Sequence, residues 1–360
     1  MLLYCVAASA RHAGGAHIHP PQIPTSFRKA VPEGQNASVQ NQLVKQRLFC
    51  KANMIRRISA VWWAVALLYV VSGLISPGMF QFGQFLNILQ ISAFLGVVAT
   101  GQTIALLTGG IDLSVAGMVT MANIVSTSVM AGSSGNIVPA VIVCLLLAAL
   151  VGLANGLIIT IVRITPLVAT LAMNSILFGA ALVYTQGAPH GGIAREFAIF
   201  GQGHFGFVPV STICWISVVL AVAFLLHRTI FGRQLYAAGA NATAAEMMGV
   251  AVHKILMASY MLSATMAVLG GLLLTSYIGS PSLGIGDQFL LTSIAATVVG
   301  GTALSGGIGS VINTIGGTLF ITELNSFTNI VHVSTGVQFV LHLHCCGEKI
   351  FRSLRSLNLS

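Results

Sequence analysis

Long apolar stretches separated by short polar turns make up most of the chain after residue 57. Because a helix needs about 20 apolar residues to cross a bilayer, each stretch of that length predicts a membrane-spanning helix. The stretches are residues 58–76, 87–108, 113–131, 138–161, 166–185, 209–227, 255–278, 288–304 and 308–323. A further stretch, 327–344, is doubtful because its apolar residues give way before His342. The pattern predicts an all-α polytopic membrane protein with about ten transmembrane helices.

Composition and charge support this fold class. The chain is 56% hydrophobic and 6% charged, whereas soluble domains carry about 25% charged residues. The net charge of +9 comes from the two ends, since Lys and Arg are concentrated before residue 58 and after residue 348. Such a distribution is typical of cytoplasmic tails beside membrane helices and argues against a nucleic-acid partner.

The same basic residues predict the orientation of the chain. Residues 45–57 carry a cluster of Lys and Arg directly before the first apolar stretch, which places the N-terminus in the cytoplasm. Alternating the stretches across the membrane then puts residues 186–208 outside and residues 228–254 inside. Arg195 is the one basic residue that this alternation leaves on the outer side.

The inner loop, residues 228–254, contains a signal for a short helix. Thr243 and Glu246 have the T-x-x-E spacing of a capping box, and Gly249 stands where such a helix would end. A short helix in a cytoplasmic loop predicts a contact surface for another protein; the alternative is an incidental amphipathic turn.

Enzyme signatures are missing from the sequence. It contains no G-x-x-x-x-G-K-[ST], H-E-x-x-H or G-x-S-x-G motif, and its cysteines show no metal-ligand spacing. We therefore expect no catalytic residue, no metal and no cofactor, and any ATP hydrolysis would belong to a separate chain.

Uncharged polar side chains occur within the apolar stretches, at Asn87, Gln90, Gln102, Asn155 and Asn174. They can bridge helices by hydrogen bonds, or line a path for a neutral hydroxylated solute. The acidic residues of the apolar zone, by contrast, are all expected at loops or helix ends. These are Asp112, Glu196, Glu246, Asp287 and Glu323.

Asp112 stands in the stretch GQTIALLTGGIDLSVAG, between two predicted helices. An Asp at a helix break can cap free backbone N–H groups, with Ser114 assisting. Alternatively, it gates a path or contacts a partner chain. The stretch ATVVGGTALSGGIGSVI is weakly similar to this one. Pairs of similar, interrupted helices are typical of the binding sites of transporters.

Four stretches together resemble the membrane permeases of ribose/xylose/galactose-type ABC importers. They are GQTIALLTGGIDLSVAG, FGRQLYAAGANATAAEMMGV, DQFLLTSIAATVVGGTALSGGIGS and INTIGGTLFITELN, within a resemblance that covers roughly residues 60–340. Branched-chain amino-acid permeases have a comparable layout but lack the GGIDLS sequence motif.

The resemblance implies an ABC-importer permease fold in the bacterial inner membrane and alternating access driven by a partner. The implied partners are a cytoplasmic ABC ATPase, a periplasmic sugar-binding protein, a second permease copy and a small sugar. The inner loop would dock the ATPase through Gly239, Asn241, Ala244, Ala245, Glu246 and Gly249. From the polar residues themselves, we expect the path or gate to include Asn87, Gln102, Asp112, Ser114, Asn155 and Asn174.

Residues 1–55 and 341–360 do not resemble the family, so we expect a non-family N-terminal tail, a permease domain over 56–340 and an atypical C-terminal tail. These ends leave open a relative that no longer transports. A secondary transporter or channel acting alone is the other alternative, which the scarcity of buried charge disfavours.

Overall fold

The computed structural model describes residues 61–330, which form a bundle of α-helices. The helices are α1 (Val61–Ile75), α2 (Phe82–Leu107), α3 (Val115–Met130), α4 (Ile137–Thr160), α5 (Pro166–Thr185), α6 (Ala198–Gln202), α7 (Val210–Arg228), α8 (Ile230–Ala240), α9 (Ala242–Met247), α10 (Val252–Ile278), α11 (Asp287–Val299) and α12 (Val311–Ile330). Two short strands, β1 (His204–Phe205) and β2 (Val208–Pro209), pair antiparallel between α6 and α7.

Every predicted apolar stretch that lies within residues 61–330 overlaps a helix. By length and composition, five helical segments can cross a membrane: α2, Ser134–Thr160 (which contains α4), α5, α7 and α10. Three shorter apolar helices, α1, α3 and α11, accompany them. The prediction of an all-α polytopic membrane protein is therefore confirmed.

Some predicted boundaries were wrong. The stretch 288–304 overran its helix, because α11 ends at Val299 and the glycine-rich residues after it are not helical. The stretch 308–323 fell short, because α12 continues to Ile330. Residues 327–330 of the doubtful last stretch thus belong to α12. The rest of that stretch and both tails lie outside the described residues.

The extension of α12 also corrects the placement of Glu323, which was expected at a helix end. The residue lies inside α12 and is buried. Ser72 of α1 lies 3.5 Å away, with its hydroxyl oriented to donate to the carboxyl group. Polar residues such as Glu323 and Asn325 lower the hydropathy of this part of the helix, which is why the apolar pattern missed it.

Helix α10 occupies the centre of the bundle and packs against α2, α3 and α4. Small residues allow the closest of these contacts. A Cβ atom at Gly152 of α4 would lie 2.5 Å from the Cα of Met261, and one at Gly156 would lie 2.8 Å from the Cα of Met257. The seam between α4 and α10 is therefore a backbone-to-backbone contact, as in many membrane helix pairs.

Helices α3 and α11 are too short to cross a bilayer alone. At 1.5 Å per residue they are roughly 24 and 20 Å long, against about 30 Å of hydrocarbon. Non-helical backbone precedes each of them, at residues 108–114 and 279–286; residues 112–114 are buried, whereas most of 279–286 is partly or fully exposed. Such backbone is tolerated at membrane depth only where protein surrounds it or where it lines a water-filled cavity.

The outer faces of several helices are apolar. Along α4, exposed side chains recur at Val138, Ile142, Leu146 and Leu150, one helical turn apart. Helices α5 and α7 present similar faces, so this exterior is suited to contact lipid.

Candidate functional site

Residues 108–114 leave α2 through a glycine turn. Gly109 has φ +82°, a left-handed conformation that favours glycine. The amide of Gly109 donates to the carbonyl of Leu106 at 2.9 Å, and that of Gly110 donates to the carbonyl of Ala105 at 3.2 Å. This is a Schellman ending, and it turns the chain back into the bundle. Gly110 is needed as well, because a Cβ there would overlap the hydroxyl of Tyr260.

The turn places Asp112 in the interior, where the residue is only 1% exposed. One carboxyl oxygen accepts from the amide of Ser114 at 3.0 Å and from its hydroxyl at 2.5 Å. The other accepts from the hydroxyl of Ser263 on α10 at 2.7 Å. Asp112 therefore accepts a free N–H at the helix break, as the capping interpretation predicts, and also ties the break to α10.

Two amide side chains complete the cluster around Asp112. Asn155 of α4 donates to the hydroxyl of Ser114 at 2.9 Å. In the orientation that satisfies its amide, Gln102 of α2 donates to the carbonyl of Asp112 at 2.9 Å and accepts from its N–H at 3.3 Å. Four predicted site residues thus meet in one buried cluster. We call Gln102, Asp112, Ser114, Asn155 and Ser263 the Asp112 cluster.

Helix α5 holds the neighbouring backbone. Its Thr170 hydroxyl accepts from the amide of Leu113 at 3.0 Å and lies 3.1 Å from the carbonyl of Ile111. Asn174 accepts from the amide of Gly117 at 2.7 Å. Gly117 lies in the first turn of α3, so a side chain from another helix satisfies one of its free N–H groups.

Asn87 does not join the Asp112 cluster. It is half-buried near the other end of α2, about 22 Å along the helix from Gln102. Gln90, close to it, donates to the carbonyl of Gly201 in α6 at 2.6 Å and so bridges two helices.

Two polar atoms beside the Asp112 cluster have no hydrogen-bond partner among residues 61–330. They are the side-chain oxygen of Asn155 and the hydroxyl of Tyr260, both fully buried. Buried polar groups are rarely left unpaired, since each costs roughly 1–3 kcal/mol. Both lie where the 108–114 segment meets α4 and α10, so two polar groups at this contact lack hydrogen-bond partners among the described residues.

The loop 279–286 forms a second buried polar contact, which sequence reasoning missed. Asn123 of α3 accepts from the amide of Ser282 at 2.8 Å and donates to the carbonyl of Ser280 at 3.2 Å. Thr120 accepts from the amide of Gly286 at 3.0 Å. A single Asn inside an apolar stretch was the only signal in the sequence.

Glycines join three elements at the Leu107 end of α2. A Cβ at Gly239 of α8 would overlap the carbonyl oxygen of Leu107, and one at Gly306 would lie 2.7 Å from the carbonyl oxygen of Gly239. The amide of Gly307 donates to the carbonyl of Leu107 at 2.9 Å. We call Gly109, Gly239, Gly306 and Gly307 the glycine joint.

Tyr236 adds a side-chain contact to the glycine joint. Its hydroxyl donates to the carbonyl of Gly309 at 2.9 Å. Burial raises the pKa of Tyr236 to about 12, so the hydroxyl keeps its proton at neutral pH. Helix α8 is thereby fixed to the loop between α11 and α12. Helix α8 was not predicted from the sequence; Thr229 caps it by accepting from the amide of Gly232 at 3.4 Å.

Helix α9 is the short helix predicted for the inner loop, but its start was wrong. Asn241 is the N-cap and accepts from the amide of Ala244 at 3.0 Å. Thr243 lies inside the helix, so the predicted capping box does not form. The end was correct: Gly249 has φ +82°, and Val250 donates to the carbonyl of Ala245 at 3.0 Å.

The residues of α9 divide between a buried side and an exposed side. Ala245 packs into the protein, whereas Ala244 and Glu246 are exposed. Met247 and Met248 are 83% and 65% exposed. These two methionines are adjacent and present an exposed apolar surface beside Glu246.

The loop 186–208 lies between α5 and α7 and carries Glu196. The hydroxyl of Ser134 donates to this carboxyl group and lowers its pKa. Among residues 61–330, no three His, Cys, Asp or Glu side chains come together as a metal site.

An apolar exterior around buried polar contacts and broken helices defines a polytopic helical membrane protein. The chain belongs to the family described as branched-chain amino acid transport system / permease component, whose model matches residues 84–343. It is therefore a transport component.

Curated relatives cover most of the chain. It is 36% identical over 280 residues to a ribose import permease protein of Bacillus subtilis, covering 76% of this chain and 86% of the relative. A ribose import permease protein of Escherichia coli K12 is 34% identical over 300 residues, covering 82% and 92%. A galactose/methyl galactoside import permease protein of Haemophilus influenzae is 31% identical over 303 residues, covering 79% and 90%. No solved structure matches the chain.

Proposed function

We propose that the chain is the permease subunit of a monosaccharide ABC importer in the bacterial inner membrane. The observation that carries this proposal is its similarity, over most of both chains, to permeases named for ribose and galactose import. A separate ATPase would supply the energy, a periplasmic binding protein would deliver the sugar, and a second permease copy would complete the path. Catalysis would lie outside this chain.

We further propose that α8 and α9 face the cytoplasm, on the same side as the N-terminus. The ends of α2, α8 and α11 come together at or beside the glycine joint, as the alternating topology requires. The exposed residues of α9 would dock the ATPase. Gly239 has a different task from the other predicted loop residues, because it packs against α2 rather than facing a partner.

The polar side chains of the helices would serve the path in two ways. Gln102, Asp112, Ser114 and Asn155 are buried and bonded to one another, so they fit a gate better than the wall of an open path. Asn87 and Asn174 are half-buried, and a movement of α2 or α5 would expose them to a solute.

Uptake of labelled sugars into proteoliposomes tests this function. The liposomes would contain this chain and its ATPase, with the binding protein added outside and ATP inside. We expect uptake of ribose, galactose or xylose that requires all the components. Glu246→Arg should abolish uptake by disrupting ATPase docking, whereas Glu246→Gln, which keeps the shape of the side chain, should retain most of it.

Other outcomes would contradict the proposal. Uptake without the ATPase would favour a secondary transporter or channel. Absence of uptake with every sugar, while the ATPase still co-purifies with this chain, would favour a relative that no longer transports.

A further inference from the structure

The segment 108–114 contacts two different parts of the molecule at its two ends. At Gly109 it belongs to the glycine joint, where a Cβ would lie 3.5 Å from the carbonyl oxygen of Ser305. At Asp112 it is bonded to Ser263 of α10 and, through Ser114, to Asn155 of α4. Only two residues, Gly110 and Ile111, separate these two ends.

Contacts at the glycine joint run from backbone to backbone. There is no room for a side chain between Gly239 and Leu107, or between Gly307 and Ala240. Packed protein interiors are nearly incompressible and shift between discrete arrangements. A displacement of α8 must therefore move the end of α2 or separate the two helices.

The helices that the Asp112 cluster joins cannot slide past one another while its hydrogen bonds remain. Its hydrogen bonds join the segment to α2, α4 and α10 through short side chains of fixed length. If α4 or α10 shifts relative to α2, the bonds from Ser263 and Asn155 must break. The unpaired Asn155 oxygen and Tyr260 hydroxyl beside the cluster are groups that an alternative arrangement can satisfy.

We propose that Asp112 is a positioning residue for transport, which holds α4 and α10 in the present arrangement and releases them when α8 moves the 108–114 segment through the glycine joint. This inference rests on the proposed function, since it takes the ATPase as the source of the movement of α8. In this inference Gly239 transmits the movement of α8 to the 108–114 segment, and Asp112 holds α4 and α10 in place until that movement occurs.

The first test is hydrogen–deuterium exchange of the complete complex, with and without a non-hydrolysable ATP analogue. In the wild type, the analogue should increase exchange at least fivefold in the peptide 105–117. Gly239→Ala should remove this response, because the added Cβ overlaps the carbonyl of Leu107. Tyr236→Phe, a milder change that removes only the bond to Gly309, should weaken it even if the alanine variant fails to fold.

The second test is the ratio of ATP hydrolysed to sugar transported. Asp112→Asn keeps the shape of the side chain, and Ser263→Ala removes one partner; each should raise the ratio at least tenfold. Gly179→Ala and Ser259→Ala are the matched controls. Among residues 61–330, a Cβ at Gly179 meets nothing within 4 Å, and the hydroxyl of Ser259 donates only to the Ile255 carbonyl of its own helix.

Two outcomes would overturn this inference while leaving the proposed function intact. One is a transporting wild-type complex in which the analogue leaves exchange in peptide 105–117 unchanged. The other is a proportional loss of uptake and ATP hydrolysis in the Asp112 and Ser263 variants. A wild-type chain that transports without the ATPase would overturn both proposals.

Discussion

Asp112 is stable inside the bundle because each carboxyl oxygen has a hydroxyl donor. Burying a polar group without partners is costly, and a membrane interior offers no water as a substitute. Ser114 supplies one donor from the adjacent backbone, and Ser263 supplies the other from α10. At the scale of single residues, the helix break is therefore held by one neighbouring side chain and one that is distant in sequence.

Replacing Ser263 should reveal the strength of that attachment. A hydrogen bond contributes about 1 kcal/mol, and about 1.5–3 kcal/mol when one partner is charged. We expect Ser263→Ala to lower the free energy of unfolding by about 1–3 kcal/mol, measured as a lower thermal midpoint in detergent. Ser259→Ala is the control, since it removes an equally buried serine whose hydroxyl, within the described part of the chain, bonds only to its own helix. Equal effects of the two variants would contradict the assignment.

Sequence reasoning could predict only one side of this arrangement. The glycine pair and the Asp-x-Ser spacing mark a helix break from local chemistry alone. Ser263 and Thr170 could not be found in that way, because they lie 151 residues from Asp112 and 57 residues from Leu113. Nothing in the local sequence distinguishes these two hydroxyls from other serine and threonine hydroxyls, which bond to a carbonyl of the preceding helical turn.

At the scale of helices, α9 depends on its caps more than on its length. A helix of six residues is too short to be stable by itself. We expect Asn241→Ala to cost about 1 kcal/mol of local stability, and so to accelerate amide exchange at residues 242–248 about fivefold. Thr243→Ala should change exchange little, although Thr243 has the sequence signature of a cap. A larger effect of Thr243→Ala than of Asn241→Ala would support the predicted capping box instead.

The seam between α4 and α10 makes a second prediction. A Cβ at Gly152 would press on the backbone of Met261, which cannot move without separating the helices. We expect Gly152→Ala to destabilise the protein by about 1–3 kcal/mol, measured by unfolding in detergent. Gly179→Ala has open space around it and should be neutral or stabilising by up to about 1 kcal/mol. A stabilising effect at Gly152 would show that the seam can open.

The apolar pattern was a good guide to where helices exist and a poor one to where they end. It located the spanning helices because each must cover a similar thickness of hydrocarbon. It failed at α12, where Glu323 is buried and Asn325 is half-buried, and at α8, which is not a spanning helix. Hydrophobic residues mark the positions that contact lipid. The apolar pattern therefore does not detect helical segments whose polar residues face the interior of the protein.

At the scale of the whole molecule, the apolar exterior sets the position of the bundle in a bilayer. Leu146 lies near the middle of α4 and Val138 near its start, and both are exposed. Arginine costs about 2.5–3.5 kcal/mol at the centre of a membrane helix and less near its ends, where the side chain can reach the interface. Leu146→Arg should therefore reduce the amount of protein in the membrane fraction far more than Val138→Arg. Similar yields for the two variants would contradict the assignment of this face to lipid.

The central position of α10 has a consequence for how the protein is made. Ser263 follows Asp112 by 151 residues, which at about 5–20 residues per second takes roughly 8–30 s of synthesis. Helix α2 is complete before that interval, and α3 and α4 are made early in it, while the Asp112 carboxyl group still lacks its donor on α10. We expect the growing chain to remain a loose assembly until α10 inserts, and a ribosome that stalls before residue 263 to release a product that membrane proteases degrade faster than the complete chain.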